Sequence, residues 1–330
     1  MRLGTRGSAL ALAQAQLVAE LLQAQADPAR AAGSVEIVPI VTRGDRESAG
    51  AANGAGELTG DGPPGEPPPG EDKSRWVSEL ERALLAGEID AAVHSAKDVP
   101  GELAEGLALV AAPVRAGAED VLCGASDVHE LSADARVGTS SLRRIAQLRA
   151  AREELEPIAM HGNVDTRLRK LADGELDAIV LARAGLQRLG RERAIGAVLD
   201  PALFVPAPGQ GTLALEARAE DETTRAALAG IGDAGALACL LAERALARGL
   251  DAGCDTPLGA YATIEDDEMR LRAWVGLPDG SVWAGDELAG AASMPERLGR
   301  EVAARLKAAG ADEILQAAHL WTGDTEDARG

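Results

Sequence analysis

The sequence predicts an α/β fold, because short apolar runs alternate with longer amphipathic stretches along most of its 330 residues. Hydrophobic residues make up 46% of the chain and are mainly alanine, leucine and valine, whereas only 2% of residues are aromatic. A core of small aliphatic side chains is typical of helices layered on a sheet. At this length the chain can form two or three domains, each with its own core.

A first series of strands and helices is predicted in the amino-terminal third. Its strands are expected over 2–5, 35–41 and 91–94, and its helices over 8–22 and 76–86. Residues 48–72 contain seven glycines, five prolines, five acidic residues and no basic residue. This composition favours a mobile loop over a core element.

A second series begins near Val114. Its strands are expected over 136–138, 158–160 and 178–181, and its helices over 142–152 and 164–171. Two such series predict two domains with a cleft between them. A strand over 213–216 is expected to return to an earlier sheet, before a third unit with helices at 236–248 and 295–308 and strands at 261–264 and 270–275. The predicted domains are 1–112 with the return segment 206–228, an anion-binding domain over 113–205, and a third domain over 229–330.

The net charge of −20 excludes a general electrostatic surface for nucleic acid. Only 4 of the 33 basic residues are lysine, and this acid-rich, lysine-poor balance is typical of proteins from salt-loving microbes. Residues 136–193, in contrast, hold 12 basic and 8 acidic residues. The local reversal of charge indicates an anionic ligand. A polycarboxylate fits better than a nucleotide, because no G-x-x-x-x-G-K-[ST] motif is present and no G-x-G-x-x-G motif opens a helix after a strand.

The start of the chain shows no secretory signal and no 18-residue apolar span occurs, so we predict a cytoplasmic protein that binds no membrane. The three cysteines form no C-x-x-C pair and no histidine lies at zinc-ligand spacing from them, which argues against disulfides and metal. Cys123 and Cys239 are expected to be small buried hydrophobes. Cys254, in a glycine-bracketed segment, is the candidate nucleophile or attachment site. An idle thiol is its alternative, because the neighbouring Asp255 disfavours the thiolate.

Residues 137–144 carry a strand end through the hydroxyls of Thr139, Ser140 and Ser141 into a helix that begins near Arg143 and Arg144. The amide groups of a helix N-terminus attract anions, and the hydroxyls can cap the helix or reach the same ligand. The macrodipole disfavours two arginines in this turn, so something negative is expected to compensate them. The alternative is that both arginines are solvated beside the apolar stripe of the helix.

Residues 91–100 place four polar side chains, His94, Ser95, Lys97 and Asp98, at the end of a buried strand. A carboxylate beside an ammonium stays ionised, which suits a group that stabilises a cation or accepts a proton. For His94 the favoured interpretation is a hydrogen-bonded strand-end histidine. For Asp98 the alternative to a functional role is a helix cap or turn residue before Pro100.

Eight segments, taken in order, resemble the porphobilinogen deaminase family over nearly the whole chain. They are T-R-G-S-A-L-A-L-A-Q (5–14), V-T-R-G-D (41–45), H-S-A-K-D-V-P (94–100), V-G-T-S-S-L-R-R (137–144), G-N-V-D-T-R-L (162–168), D-A-I-V-L-A-R-A-G-L-Q-R-L-G (177–190), P-G-Q-G (208–211) and G-C-D-T-P-L-G-A-Y (253–261).

The resemblance implies two periplasmic-binding-protein-like (type II) α/β domains with a central cleft, plus a small α/β C-terminal domain. In the family, the cysteine that matches Cys254 forms a thioether to a dipyrromethane cofactor, which primes the growing chain. The implied enzyme deaminates and polymerises four molecules of porphobilinogen head-to-tail and releases 1-hydroxymethylbilane and ammonia in tetrapyrrole biosynthesis. Porphobilinogen carries acetate and propionate, which explains the arginines, and a monomer is implied.

By position, the resemblance implies a catalytic role for Asp98, which would hold the pyrrole N–H groups and stabilise a cation as a buried electrostatic group. The residues implied to bind the cofactor carboxylates are Ser95, Lys97, Thr139, Ser141, Arg143 and Arg144. Those implied to bind the substrate or the growing chain are Arg6, Ser8, Lys73, His161, Gly162, Asn163, Arg167 and Arg188.

Two positions depart from the family pattern. The family commonly has arginine where this chain has His161, which lacks a fixed charge near neutral pH. Where the family usually has Gly-Lys-Gly-Leu-Phe, this chain has Asp72-Lys-Ser-Arg-Trp76 after the acidic loop. The negative loop is expected to slow entry of an anionic substrate at low salt.

Two rival functions stay open on the sequence. A non-catalytic cytoplasmic binding protein or sensor for a small carboxylate would use the same arginines and leave Cys254 idle. A homologue that has lost activity through its altered lid is the second.

Overall fold

The computed structural model of the chain describes residues 1–25, 34–40, 78–253 and 255–321. The predicted loop over 48–72, together with Lys73 and Cys254, lies outside the described residues. The chain divides into two compact units. The first comprises residues 1–94, 103–110 and 215–231, and the second comprises residues 95–102, 111–214 and 232–330.

The first unit is built on a five-stranded sheet. Its strands are β1 (Arg2–Arg6), β2 (Glu36–Ile40), β3 (Ala91–Ser95), β4 (Leu107–Ala111) and β10 (Leu213–Arg218), and its helices are α1 (Ala9–Gln25), α2 (Glu79–Leu85) and α6 (Glu222–Gly230). The strand order is β2-β1-β3-β10-β4, with β1 parallel to both β2 and β3. A capping box starts α2, since the Ser78 hydroxyl accepts from the Glu81 amide and the Glu81 carboxylate accepts from the Ser78 amide.

The second unit contains another five-stranded sheet. Its strands are β5 (Asp120–Cys123), β6 (Val137–Gly138), β7 (Pro157–Ile158), β8 (Ala178–Ala182) and β9 (Ala197–Val198), and its helices are α3 (Leu142–Ala151), α4 (Val164–Ala172) and α5 (Arg183–Arg188). The strand order is β7-β6-β8-β5-β9, with β6 parallel to β7 and β8 and with β5 antiparallel to β8 and β9. The first four residues of β8 are buried, as expected for an apolar run.

A three-stranded antiparallel sheet completes the second unit. Its strands are β11 (Leu258–Glu265), β12 (Glu268–Gly276) and β13 (Trp283–Ala291), in that order. Its helices are α7 (Ala234–Gly249), α8 (Pro295–Ala308) and α9 (Ala311–His319). One face of the sheet contributes Leu271 and Ala273 to a core that also includes Val302 and Leu306 of α8.

The predicted α/β class is confirmed by these sheets and helices. Most predicted elements are present within a few residues of their expected ends, which is the usual uncertainty of such boundaries. The prediction missed β4, β5, β9 and β13 and the helices α5, α6 and α9. The strand β13 (W-A-G-D-E-L-A-G-A) is rich in small and acidic residues that have weak strand propensity, so its sheet partner rather than its sequence determines its conformation. The division into domains at 112/113, 205/206 and 228/229 stays a prediction.

Among the described residues, no single helix combines the length and apolarity needed to cross a membrane. In the part of the chain that the structure describes, α6 and α7 reach that length and composition only when taken together, and they do not form one continuous helix.

Candidate functional site

The turn between β6 and α3 is held by side chains of its own residues. The Thr139 amide donates to Ile158 O at 2.9 Å, and the Thr139 hydroxyl accepts from the Ser141 amide at 3.3 Å. The Ser140 hydroxyl bonds to the backbone of Met160. Ser141 is the N-cap residue of α3, but its hydroxyl makes no capping bond. Thr139 and Ser140 therefore shape the turn, and Ser141 keeps its hydroxyl for another partner.

The two arginines of α3 are buried, with only 3% and 7% of Arg143 and Arg144 exposed. The alternative that they are solvated is therefore wrong. Both bind the buried carboxylate of Asp120 at the start of β5: Arg143 Nη1 lies 2.7 Å from Oδ2, and Arg144 Nη2 lies 2.8 Å from Oδ1. The compensating negative group expected from the sequence is thus a carboxylate of the chain itself.

The charges around Asp120 do not balance, because one carboxylate serves two guanidinium groups. Burial alone would raise the pKa of Asp120, but the charges and hydrogen bonds of Arg143 and Arg144 hold that pKa well below its usual range. Arg143 also donates to Val205 O at 2.8 Å, and its Nε is buried with no hydrogen-bond partner. A buried donor without a partner favours a ligand that can accept from it.

Lys97 adds a third cation to this cluster. Its ammonium lies 3.4 Å from Gln210 Oε1. Burial and the positive charge of Arg144 lower the pKa of Lys97 to about 8, with Arg143 acting in the same direction and Asp98 and Asp120 opposing it. Near neutral pH, Lys97 is therefore mostly charged but easily deprotonated.

The three cations Lys97, Arg143 and Arg244 line a cavity of about 120 Å³ within the second unit. Its remaining described lining residues are Ala96, Val99, Pro100, Gly101, Ser141, Ala207, Pro208, Ala247, Ala252, Gly253, Thr256 and Leu258. No acidic residue is among these described lining residues. In a chain with a net charge of −20, such a cavity is suited to carboxylates.

Asp98 ends a 3₁₀ turn, Ala96–Asp98, that follows β3, and its side chain is exposed. The expected burial of Asp98 is therefore wrong, and its catalytic role stays a prediction. The next turn is fixed by Arg244 of α7, which donates to the carbonyl oxygens of Val99, Pro100 and Gly101. The segment that carries Lys97 and Asp98 is thus tied to the helix that precedes the loop of Cys254.

His94 is a hydrogen-bonded histidine near the end of a strand, as the favoured interpretation predicted. In the first unit, His94 Nε2 lies 2.8 Å from Oε2 of Glu216, whose side chain is 1% exposed. Ser95 ends the same strand β3 and is half-buried. Nothing in this arrangement makes His94 a metal ligand.

A second group of predicted residues lies at the start of α4. Asn163 is the N-cap residue, and its side chain accepts from the Thr166 amide at 2.9 Å. Arg167 Nε donates to Gly162 O at 2.8 Å, and His161 is exposed. Burial and the charge of Arg144 lower the pKa of Arg167. The structure thus brings His161, Gly162, Asn163 and Arg167 together.

Arg188, on α5, donates through Nη2 to Gly211 O at 2.7 Å. Its Nε is buried without a partner, and burial lowers the pKa of Arg188 to about 10. In the first unit, Arg6 ends β1 and Ser8 precedes α1, where the Ser8 hydroxyl accepts from the Ala11 amide at 3.3 Å. Arg6 and Ser8 stay predicted site residues.

The two described cysteines are buried, as predicted. Burial raises the pKa of the Cys123 and Cys239 thiols to about 11, so both are poor nucleophiles near neutral pH. Of the loop around Cys254, the structure describes the neighbours Gly253 and Thr256, which both line the cavity. The Gly253 amide donates to the Thr256 hydroxyl at 2.9 Å.

Sequence reasoning missed Asp120, Gln210 and the pair Arg115–Glu243. Arg115 binds Glu243 at 2.7 Å, and Glu243 also accepts from the amides of Gly209 and Ala262. Asp120 begins an apolar strand, and a buried acid there needs a positively charged or hydrogen-bonding partner. This position was the signal in the sequence that could have identified Asp120. Gln210 stands in the P-G-Q-G segment, which was counted only as part of a resemblance.

Two family models match this chain, one over its first two thirds and one near its C-terminal end. The family model described as "Porphobilinogen deaminase, dipyromethane cofactor binding domain" matches residues 1–226, and the one described as "Porphobilinogen deaminase, C-terminal domain" matches residues 237–308.

Proteins of similar sequence are described as porphobilinogen deaminases. A porphobilinogen deaminase from Roseiflexus sp. (strain RS-1) is 42% identical over 315 residues, which cover 95% of this chain and 97% of the relative. One from Trichlorobacter lovleyi is 40% identical over 317 residues, which cover 96% of each chain.

Solved structures give weaker likenesses. The ligand-binding component of an ABC-type import system from Staphylococcus aureus has a TM-score of 0.37 and 14% identity, over 76% of this chain and 74% of the other. The VFT2 domain of Bordetella pertussis BvgS has a TM-score of 0.39 and 15% identity, over 70% and 85%.

Proposed function

This chain belongs to the porphobilinogen deaminase family, and we propose that its cation-lined cavity holds the carboxylates of the dipyrromethane cofactor. The family's enzyme, also called hydroxymethylbilane synthase, polymerises four molecules of porphobilinogen into 1-hydroxymethylbilane and releases ammonia, in tetrapyrrole biosynthesis. The observation that supports the site is the surplus of buried positive charge where one carboxylate, Asp120, serves two guanidinium groups.

The residues around the cavity fit such a cofactor. A dipyrromethane made from two porphobilinogen molecules carries acetate and propionate groups, which need positive donors. Arg143 offers a buried Nε without a partner, and Lys97 has a single long hydrogen bond among those described. Ser141 adds a hydroxyl that makes no capping bond. These donors suit carboxylates because charge-assisted hydrogen bonds are the strongest that side chains make.

Covalent attachment is assigned to Cys254 by its place in the chain. The nearby residues Gly253 and Thr256 line the cavity, so a thioether at Cys254 would hold the cofactor beside the three cations. When bound, the cofactor supplies the carbon atom to which the first substrate is joined. The chain's own residues hold the carboxylates of the cofactor and thereby exclude other orientations of the cofactor.

Asp98 is assigned the catalytic role. It follows Lys97 directly, and its exposed carboxylate can accept hydrogen bonds from pyrrole N–H groups. A fixed negative charge there stabilises the positive charge that develops when ammonia leaves the substrate. The substrate's carboxylates are assigned to His161, Arg167 and Arg188, together with the backbone of Gly162 and Asn163. Arg6 and Ser8 of the first unit, and Lys73, are assigned to the same role by position only.

The remaining expectations are part of this proposal. We infer a cytoplasmic monomer that acts on a small molecule without nucleic acid or membrane, and the net charge of −20 supports the absence of nucleic acid. The lysine-poor composition supports activity at high salt.

Turnover of porphobilinogen tests the function. The chain should consume porphobilinogen and release ammonia, and Asp98→Asn should lower kcat by about 100-fold or more while the cofactor stays attached. Asp134→Asn, which changes another exposed carboxylate, should leave kcat unchanged. Native kcat in Asp98→Asn would contradict the assigned role. Carboxylate binding without turnover at any salt concentration would favour the binding-protein alternative.

A further inference from the structure

The P-G-Q-G segment, residues 208–211, places one neutral side chain at the centre of the buried charges. Gln210 is 1% exposed. Gly209 and Gly211 both have positive φ angles, +76° and +86°. A side chain on Gly209 would meet the backbone of Ala96 at 3.0 Å, and one on Gly211 would meet Ala116 O at 2.6 Å. Gly209 therefore allows the segment to lie against the residue that precedes Lys97, and Gly211 allows it to lie against Ala116.

Two short hydrogen bonds fix the orientation of the Gln210 amide. Its Nε2 donates to Ala118 O at 2.7 Å and to Asp120 Oδ1 at 2.8 Å. Both partners only accept, so the amide nitrogen must face them and the amide oxygen must face the other way.

The amide oxygen faces the cations. Gln210 Oε1 lies 3.4 Å from Lys97 Nζ and 3.5 Å from Arg144 Nη2. Both distances are long for a charged donor, whose usual range is about 2.7–2.9 Å. Arg144 is already held by Asp120 and by Val180 O at 2.8–3.0 Å. Lys97 is thus the cation that Gln210 orients, and its long contact leaves it capacity for another acceptor.

We propose that Gln210 is a positioning residue that orients Lys97 beside Arg144 through a neutral oxygen, so that the cavity keeps its surplus positive charge for the carboxylates of a ligand. A carboxylate at this position would form strong ion pairs with the same cations and would cancel the surplus. An apolar side chain would leave Lys97 without the acceptor that Gln210 provides. The proposal rests on the proposed function for the identity of the ligand.

The charge of Lys97 gives a direct readout that needs no cofactor. In full-length protein with Cys254→Ser, which removes the assigned attachment site, acetic anhydride modifies Lys97 only when its amine is deprotonated. The pH dependence of this reaction, followed by mass spectrometry of the peptide that contains Lys97, measures the pKa of Lys97. The protein with native Gln210 should give a pKa of about 8.

Two near-isosteric variants are compared in this background. Gln210→Glu should raise the pKa of Lys97 by about one unit or more, because an opposite charge favours the ammonium. Gln210→Met should lower it, because Lys97 loses its polar acceptor while burial and Arg144 remain. The same pKa in folded protein of all three forms would overturn the proposal. If Gln210→Glu does not fold, an unchanged pKa in folded Gln210→Met overturns it, and a lowered pKa supports it.

Cofactor loading is the second readout, measured with Cys254 present. Incubation of unloaded full-length chain with porphobilinogen should add the mass of two pyrrole units at a rate about tenfold or more lower in Gln210→Glu than in the native chain. Loading of folded Gln210→Glu at the native rate would overturn the proposal. If the native chain itself never loads, the proposed function is overturned instead, and the pKa of Lys97 alone decides whether Gln210 sets the charge of the cavity.

Discussion

Two places in this chain each have two arginines that share one carboxylate, and the two places differ in their burial. Arg143 and Arg144 share Asp120 inside the second unit, where all three side chains are at most 8% exposed. Arg270 and Arg272 of β12 share Glu287 of β13, where the side chains are 30–54% exposed. At the exposed place, Arg270 Nη2 also lies 3.6 Å from Oε1 of a second carboxylate, Glu268, and solvent screens all of these charges. The buried group keeps its surplus charge, which only a ligand with negative charge can compensate.

The largest difference is expected when each shared carboxylate is neutralised. Asp120→Asn leaves two buried guanidinium groups without a counter-charge and should lower the free energy of unfolding by about 3–5 kcal/mol. Glu287→Gln, the matched change at the exposed site, should lower it by about 1 kcal/mol or less. Urea denaturation of both variants measures the two values. Equal losses of unfolding free energy in the two variants would show that burial does not make the two sites energetically different.

Removing one arginine from each site should affect cofactor loading at only one of them. Arg143→Met removes a buried donor that lines the cavity and should lower the rate of loading by about 10- to 100-fold, the equivalent of one charged hydrogen bond. Arg270→Met removes an exposed arginine and should leave the rate unchanged. Intact mass after timed incubation with porphobilinogen gives both rates. A loss in Arg270→Met as large as in Arg143→Met would contradict the assignment of the cavity.

The pH dependence of loading tests the buried cluster separately, because this cluster contains a lysine with a lowered pKa. Lys97 loses its charge as the pH rises through about 8, so fewer molecules present three cations to the ligand. The initial rate of loading should fall by about tenfold between pH 7 and pH 9. Lys97→Arg keeps its charge across this range and should remove most of the fall. The same fall in Lys97→Arg would assign the titration to another group.

The smallest effect is expected at His161, which is exposed like the arginines of β12. His161→Arg adds a fixed charge at the start of α4 and should lower the KM for porphobilinogen by about two- to fivefold at low salt, and by less at high salt. Steady-state kinetics at two salt concentrations provide the test. An unchanged or raised KM at low salt would remove His161 from the substrate site.

The comparison also shows how far the sequence predicts the structure. Periodicity predicts α3 and the position of Arg143 and Arg144 in its first turn. It does not predict their burial, because that depends on Asp120, which is distant in the chain and reaches them only through the pairing of β5 with β8. Gln210 was missed for the same reason, since its partners come from three separate segments. The helix α8, by contrast, was predicted with its bounds at Pro295 and Ala308, because a proline at the first helical position is a local signal.

The central claim is that this chain carries a covalent cofactor, attached at Cys254, in the cavity of positive charge. Intact mass of the purified full-length protein tests it most directly, by comparison with Cys254→Ser. We expect an excess equal to two pyrrole units in the native chain, as purified or after incubation with porphobilinogen, and no excess in the variant. The same excess in Cys254→Ser, or none in the native chain after incubation, would contradict it.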